Sequence, residues 1–124
     1  MSDGERVIFY VVGRVMLAKE SSLIIVDEPE MHLHKAILNK LWDILEEKRK
    51  DCMFIYLTHD IDFASTRIAN KRWLKSYSSS TSGIFENWEI ESIADSEIPE
   101  ALLMKILGSR KKVLFCEGKQ GSLD

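Results

Sequence analysis

The chain is 124 residues long, 45% hydrophobic and 30% charged, with a formal net charge of −3 and a pI of about 5.6. This is the composition of a soluble globular domain with a core of moderate size, and it excludes a disordered or fibrous chain. No overall basic surface marks a nucleic-acid binder, the opening MSDGERVIFY lacks the basic segment of a secretory leader, and no apolar run approaches the roughly 20 residues of a membrane span, so a cytoplasmic protein without membrane contact is expected.

In chain order, Ser2 followed by Glu5 has capping-box spacing. Val7, Ile8, Val11, Val12, Val15 and Met16 recur at helical intervals, which predicts a helix from about Asp3 to Lys19. Leu23, Ile24, Ile25 and Val26 then form a continuous apolar strand that runs into Asp27 and Glu28 and turns at Pro29. From Leu33 a second helix is expected, with Ile37, Leu38, Leu41, Ile44 and Leu45 on its apolar face and Lys40, Asp43, Glu46 and Glu47 on its wet face. CMFIYLTHD predicts a second buried strand over Met53 to Thr58, followed by a short helix near Ile61 to Ile68. Two apolar strands joined by a helix describe a βαβ unit of α/β class, with a parallel sheet covered on both faces. KRWLKSY and GIFENWEIES read as shorter strands around a polar loop at Ser78 to Gly83. A helix from Pro99 to Leu107 and a strand in KKVLFCEG complete the order. Cys52 and Cys116 both lie in apolar runs and read as reduced core thiols.

Both strands of the βαβ unit stop with charge or imidazole at the same carboxyl-end edge, where ligands bind in open α/β sheets. Asp27 and Glu28 there either face a cation or a reacting water, or end the strand in solvent. His59 is either a ligand-facing imidazole or a structural one. Ser2, Asp3 and Glu5 cap a helix whether or not they meet a ligand. Glu30, His32 and His34 invite a metal reading, but their alternate spacing at a helix start does not place both imidazoles on one helical face. Trp42, Trp73 and Trp88 lack basic interleaving and read as packing residues.

Three motifs together resemble the second half of an ABC-type P-loop ATPase: MSDGE its signature motif at a helix N-terminus, LIIVDE its Walker B strand with the following glutamate, and LTHD its switch-histidine motif. The wording DEPEMHLH looks most like the OLD-type and related DNA-associated ATPases, and KVLFCEG resembles the opening strand of the TOPRIM-like nuclease module those proteins carry. The resemblance implies a partial three-layer P-loop NTPase domain over residues 1–108, then the first strand of a TOPRIM-like module over 109–124. It implies ATP and Mg²⁺ as ligands, with Asp27 holding the metal, Glu28 orienting or deprotonating the attacking water, and His59 reaching the γ-phosphate. Ser2 and Gly4 would present hydroxyl, backbone N–H and helix dipole to a γ-phosphate bound on the opposite protomer of a homodimer. Where that family usually has glycine this chain has Asp3, a carboxylate that repels phosphate. DNA would be met through the complete protein.

No G-x-x-x-x-G-K-S/T stretch occurs in the sequence, so nothing in it cradles the α- and β-phosphates, and turnover by these residues alone is not expected. In the resembled fold the phosphate-loop strand lies beside CMFIYL, which predicts an unpaired strand edge there. Glu117 would be the first acid of a TOPRIM-like metal site, without the later Asp-x-Asp pair. A reading from another class is a non-hydrolysing module that keeps the fold and docks a partner ATPase or nuclease.

Overall fold

A computed structural model describes residues 1–79, 86–93 and 113–116. The first helix, α1 (Asp3–Met16), begins on the expected capping box: the Ser2 side chain accepts from the Glu5 N–H at 3.3 Å and Glu5 accepts from the Ser2 N–H at 2.7 Å. The helix stops before Lys19 because its last carbonyls are taken by a side chain from elsewhere. The Arg49 guanidinium donates to the carbonyls of Val15 at 2.6 Å, Met16 at 3.4 Å and Lys19 at 3.0 Å, replacing the helical bonds those groups would otherwise seek.

The strands β1 (Leu23–Asp27) and β2 (Met53–Thr58) flank the helix α2 (Lys35–Lys48) and pair in parallel from Leu23↔Met53 to Asp27↔Leu57, as a βαβ unit requires. The short helix α3 (Ile61–Thr66) starts on Asp60, whose side chain accepts from the Phe63 N–H. The hairpin pairs β3 (Asn70–Ser79) with β4 (Glu86–Ile93), and β3 runs past the expected KRWLKSY to Ser79. Serines are poor strand formers, but the antiparallel ladder reaches Ser78↔Asn87 and Ser79↔Glu86 and carries them.

The last described strand, β5 (Val113–Cys116), lies between β2 and β3, giving the order β1-β2-β5-β3-β4. It is antiparallel to both neighbours. The unpaired edge predicted beside β2 is therefore filled: the backbone of Ile55–Thr58 pairs with β5, which spares a central strand the cost of unmet N–H and C=O groups. The helix expected over Pro99 to Leu107, and Glu117, fall outside the described residues.

Alternation decides the core. Phe54, Tyr56 and Thr58 of β2 are buried, with Ile24 and Val26 of β1 packed beside them. Against that face lie Val15 of α1, Leu38, Leu41, Trp42 and Leu45 of α2, and Phe63 and Ala64 of α3. On the other face Leu23 and Ile25 are more than half exposed and Met53 nearly so. Among the described residues, then, the parallel pair is covered on one face, not two. A continuous apolar run in the sequence does not distinguish the packed side of a pleat from the bare one. The face of α2 is also rotated from expectation. Trp42 is buried where Ile37 and Ile44 are exposed, and Glu46, placed on the wet face, is half-buried and accepts from the Tyr56 hydroxyl at 2.5 Å. No helix among the described residues is long and apolar enough to cross a membrane.

Candidate functional site

The parallel register sets Asp27 and Leu57 side by side at the carboxyl ends of β1 and β2, so the residues that follow each strand emerge on one edge. Glu28 continues the ladder for one more bond, its N–H donating to the Leu57 carbonyl at 2.7 Å. It then leaves the sheet in a left-handed conformation, φ 53°. A non-glycine residue there costs of order 1–3 kcal/mol and persists only where its surroundings fix it. Here Pro29 is buried, the Met31 N–H donates to the Glu28 carbonyl at 3.0 Å, and His32 takes a second left-handed turn at φ 62°. The kink aims the carboxylate across to β2: Glu28 Oε1 lies 3.8 Å from Nε2 of His59. Both side chains are partly open to solvent, 33% and 46% exposed.

The loop carrying His59 is held by polar groups. Thr58, 1% exposed, donates its hydroxyl to Glu30 at 2.7 Å and accepts the Asp60 N–H at 2.9 Å. The His59 N–H donates to the other oxygen of Glu30 at 3.3 Å. Beside this loop Lys35, at the start of α2, is hydrogen-bonded to Asp62, which raises its pKa above the ordinary ammonium value with help from the charge of Asp60. Glu30, Lys35, His59, Asp60, Ile61 and Asp62 line a shallow depression on the site edge.

The N-terminus of α1 approaches the same turn from another side. A side-chain carbon on Gly4 would come within 3.2 Å of the His32 carbonyl oxygen, so glycine permits this contact. Ser2 acts as a cap, and because its oxygen accepts from Glu5 its O–H remains a donor. His34 caps α2, its Nδ1 accepting from the Ala36 N–H at 3.2 Å. Among the described residues no three or more His, Cys, Asp or Glu side chains are gathered as a metal-ion cluster.

Asp27, Glu28 and His59 thus share one edge, with Gly4 against the following turn. Asp27 supplies one carboxylate. Mg²⁺ is commonly held by one or two carboxylates and otherwise by phosphate oxygens and water, so this donor set fits a metal that arrives with a nucleotide better than an all-protein cage. Residues 1–65, which contain every one of these groups, match the family described as "AAA domain, putative AbiEii toxin, Type IV TA system". The chain belongs to this AAA-domain family. Membership fits a P-loop ATPase-like fragment with a nucleotide-binding, ATPase-type function, a class that generally binds ATP with Mg²⁺. No curated relative and no solved structure matches the chain. In this AAA domain the sequence had singled out the carboxylates and His59, but not Glu30 or Thr58 as partners. A buried threonine at a strand end was the available signal, and its acceptor lies 28 residues away.

Proposed function

We propose that the chain forms the catalytic-carboxylate half of an ATP-hydrolysing, ABC-type site in a dimerising OLD-like protein, coupled to a nuclease or another DNA transaction. The observation that carries this reading is the juxtaposition of Glu28 and His59, 3.8 Å apart at the ends of adjacent parallel strands, with Asp27 at the strand end before them. Asp27 would hold Mg²⁺, which when bound neutralises charge on the phosphate oxygens. Glu28 would orient a water in line with the γ-phosphorus and take its proton as the new P–O bond forms and the bond to the departing ADP oxygen breaks. His59 would donate to an oxygen of the transferred phosphoryl group. Ser2 and Gly4 would serve the nucleotide of the opposite protomer, where the free O–H of the capping serine and the amides of α1 face the phosphate.

A phosphate loop has to come from outside these 124 residues, so the chain alone should show no measurable turnover. In the same reading residues 109–124 open a TOPRIM-like module with Glu117 as its first metal-binding acid. The likeness of KVLFCEG supports that.

The test is Glu28→Gln in the complete ATPase. ATP binding should persist, since Asp27 and the phosphate loop remain, while hydrolysis slows by about 10²-fold or more, the scale of a positioned acid–base group. An unchanged rate would overturn the hydrolytic reading in favour of a docking module. Mixing Ser2→Ala with Glu28→Gln protein tests the dimer separately: one intact composite site should return activity above that of either variant.

A further inference from the structure

The clamp on the His59 loop comes from a residue with no place in the hydrolytic chemistry. Glu30 lies two positions beyond Glu28 in the turn after β1, yet its carboxylate crosses to the end of β2. One oxygen accepts from the Thr58 hydroxyl at 2.7 Å and the other from the His59 N–H at 3.3 Å. Thr58 accepts in turn from the Asp60 N–H at 2.9 Å, and Asp60 accepts from the Phe63 N–H at 3.1 Å at the head of α3. A single carboxylate therefore ties the Glu28 turn to two successive residues, Thr58 and His59, and through Thr58 to Asp60 and the head of α3. The His59 imidazole is 46% exposed, so its position follows from its backbone more than from packing around the ring.

We propose that Glu30 is a positioning residue that fixes His59 opposite Glu28. This rests on reading Glu28 and His59 as the hydrolytic pair. A carboxylate suits the role because it accepts from two donors at once, an O–H and an N–H. Glutamine keeps one acceptor and turns an NH₂ toward the second donor, so it restores part of the clamp. Alanine removes both acceptors and leaves a buried hydroxyl and a backbone N–H to find other partners.

In the complete ATPase, Glu30→Ala should lower kcat about 10- to 100-fold with little change in KM for ATP, the effect of a misplaced group and not of lost binding. Glu30→Gln should fall between alanine and the native enzyme. Because Glu30 acts through His59, Glu30→Ala combined with His59→Ala should be no slower than His59→Ala alone. A double variant slowed by the product of the two single effects, or a Glu30→Ala enzyme with native kcat, would overturn the proposal. A readout without turnover is available in the 124-residue protein: amide exchange at His59 should be accelerated by Glu30→Ala and largely protected in Glu30→Gln. Exchange unchanged by Glu30→Ala would overturn the clamp. If Glu28→Gln leaves hydrolysis intact, the hydrolytic reading itself has failed. If Glu28→Gln abolishes hydrolysis and Glu30→Ala does not affect it, only the positioning role has failed.

Discussion

In the β1–β2 unit the strands are held by contacts that reach far along the chain, whereas in the β3–β4 hairpin they are held mainly by each other. Arg49 reaches back 34 residues to the end of α1, Glu30 spans 28 residues to Thr58, and Arg67 returns 24 residues to Asp43 on α2. In the hairpin the side-chain contacts follow the ladder. Tyr77 stands against Trp88 with ring centroids 4.3 Å apart. Lys75, the extra residue at the register shift between Leu74 and Ser76, meets Glu91 at 2.6 Å and Glu89 at 3.8 Å, all at the surface. Buried polar groups therefore concentrate where two strand ends must be kept in fixed relation, and a hairpin that keeps its own register has less need of them.

The strongest way to break this contrast is to remove the anchors of the first region. Trp42 is 1% exposed and stands edge-on to Tyr56 with centroids 5.2 Å apart, so Trp42→Ala should cost about 3–5 kcal/mol in denaturant unfolding. Trp42→Phe should cost much less, since it keeps most of the ring packing and deletes a buried indole N–H that has no acceptor among the described residues. Arg67 is 5% exposed and bonds Asp43 at 2.5 Å and Glu46 at 3.2 Å while lying over the Phe63 ring. Burial works against its charge, but Glu46 and Asp43 outweigh that and hold its pKa above the ordinary guanidinium value. Arg67→Ala should cost about 3–5 kcal/mol, because it strands Glu46 partly buried beside the Tyr56 hydroxyl. A loss below about 1 kcal/mol for either alanine variant would show that the long-range anchors are dispensable.

A smaller effect sharpens the same point through pH. Hydrogen bonds from Arg49 and from the Ser21 N–H hold the Asp51 carboxyl well below the usual carboxylate range. The folded state thus binds this proton less readily than the unfolded chain. The stabilisation is full above the unfolded value near 4 and is lost as pH falls from there through the folded value. Asp51→Asn should therefore unfold at lower denaturant than the native protein at pH 6, and the gap should narrow steadily below about pH 4. A gap independent of pH would mean that the carboxylate charge contributes nothing at this joint. The gap should also shrink in high salt, because Asp51 is 36% exposed.

How much of this could be read from the sequence follows the same division. Met53–Thr58 and the first four residues of β1 are continuous β-branched, aromatic and other apolar runs, so their bounds, and the carboxylates and imidazole at their ends, stood out. The helix ends were less legible. Ser2 gave the start of α1 through a local spacing, but its end depends on Arg49, which in the sequence is one more charge in EEKRKD. Arg67, Glu46 and Glu30 were hidden for the same reason: a charged residue is ordinarily solvated, and only the fold supplies the partners that allow Arg67 to be buried and the two glutamates to be partly so. The place of β5 was illegible because strand order depends on pairing between distant segments, and four apolar residues suit many neighbours.

The smallest expected effect belongs to the hairpin. Trp88 is 51% exposed, and its partner Tyr77 is 48% exposed, so neither ring is withdrawn from water by the core. Their contribution is a cross-strand pair directly opposite in the ladder, Tyr77↔Trp88, which stabilises by about 0.2–1 kcal/mol relative to small residues. Trp88→Ala should therefore lower stability by no more than about 1 kcal/mol, and should leave amide exchange at Thr58 and His59 unchanged. Trp42→Ala should loosen both amides, because Trp42 packs on the strand that ends in Thr58. Equal costs for the two tryptophans, or faster exchange at His59 on loss of Trp88, would show that the hairpin is part of what holds the site edge, and the division between the two regions would fail.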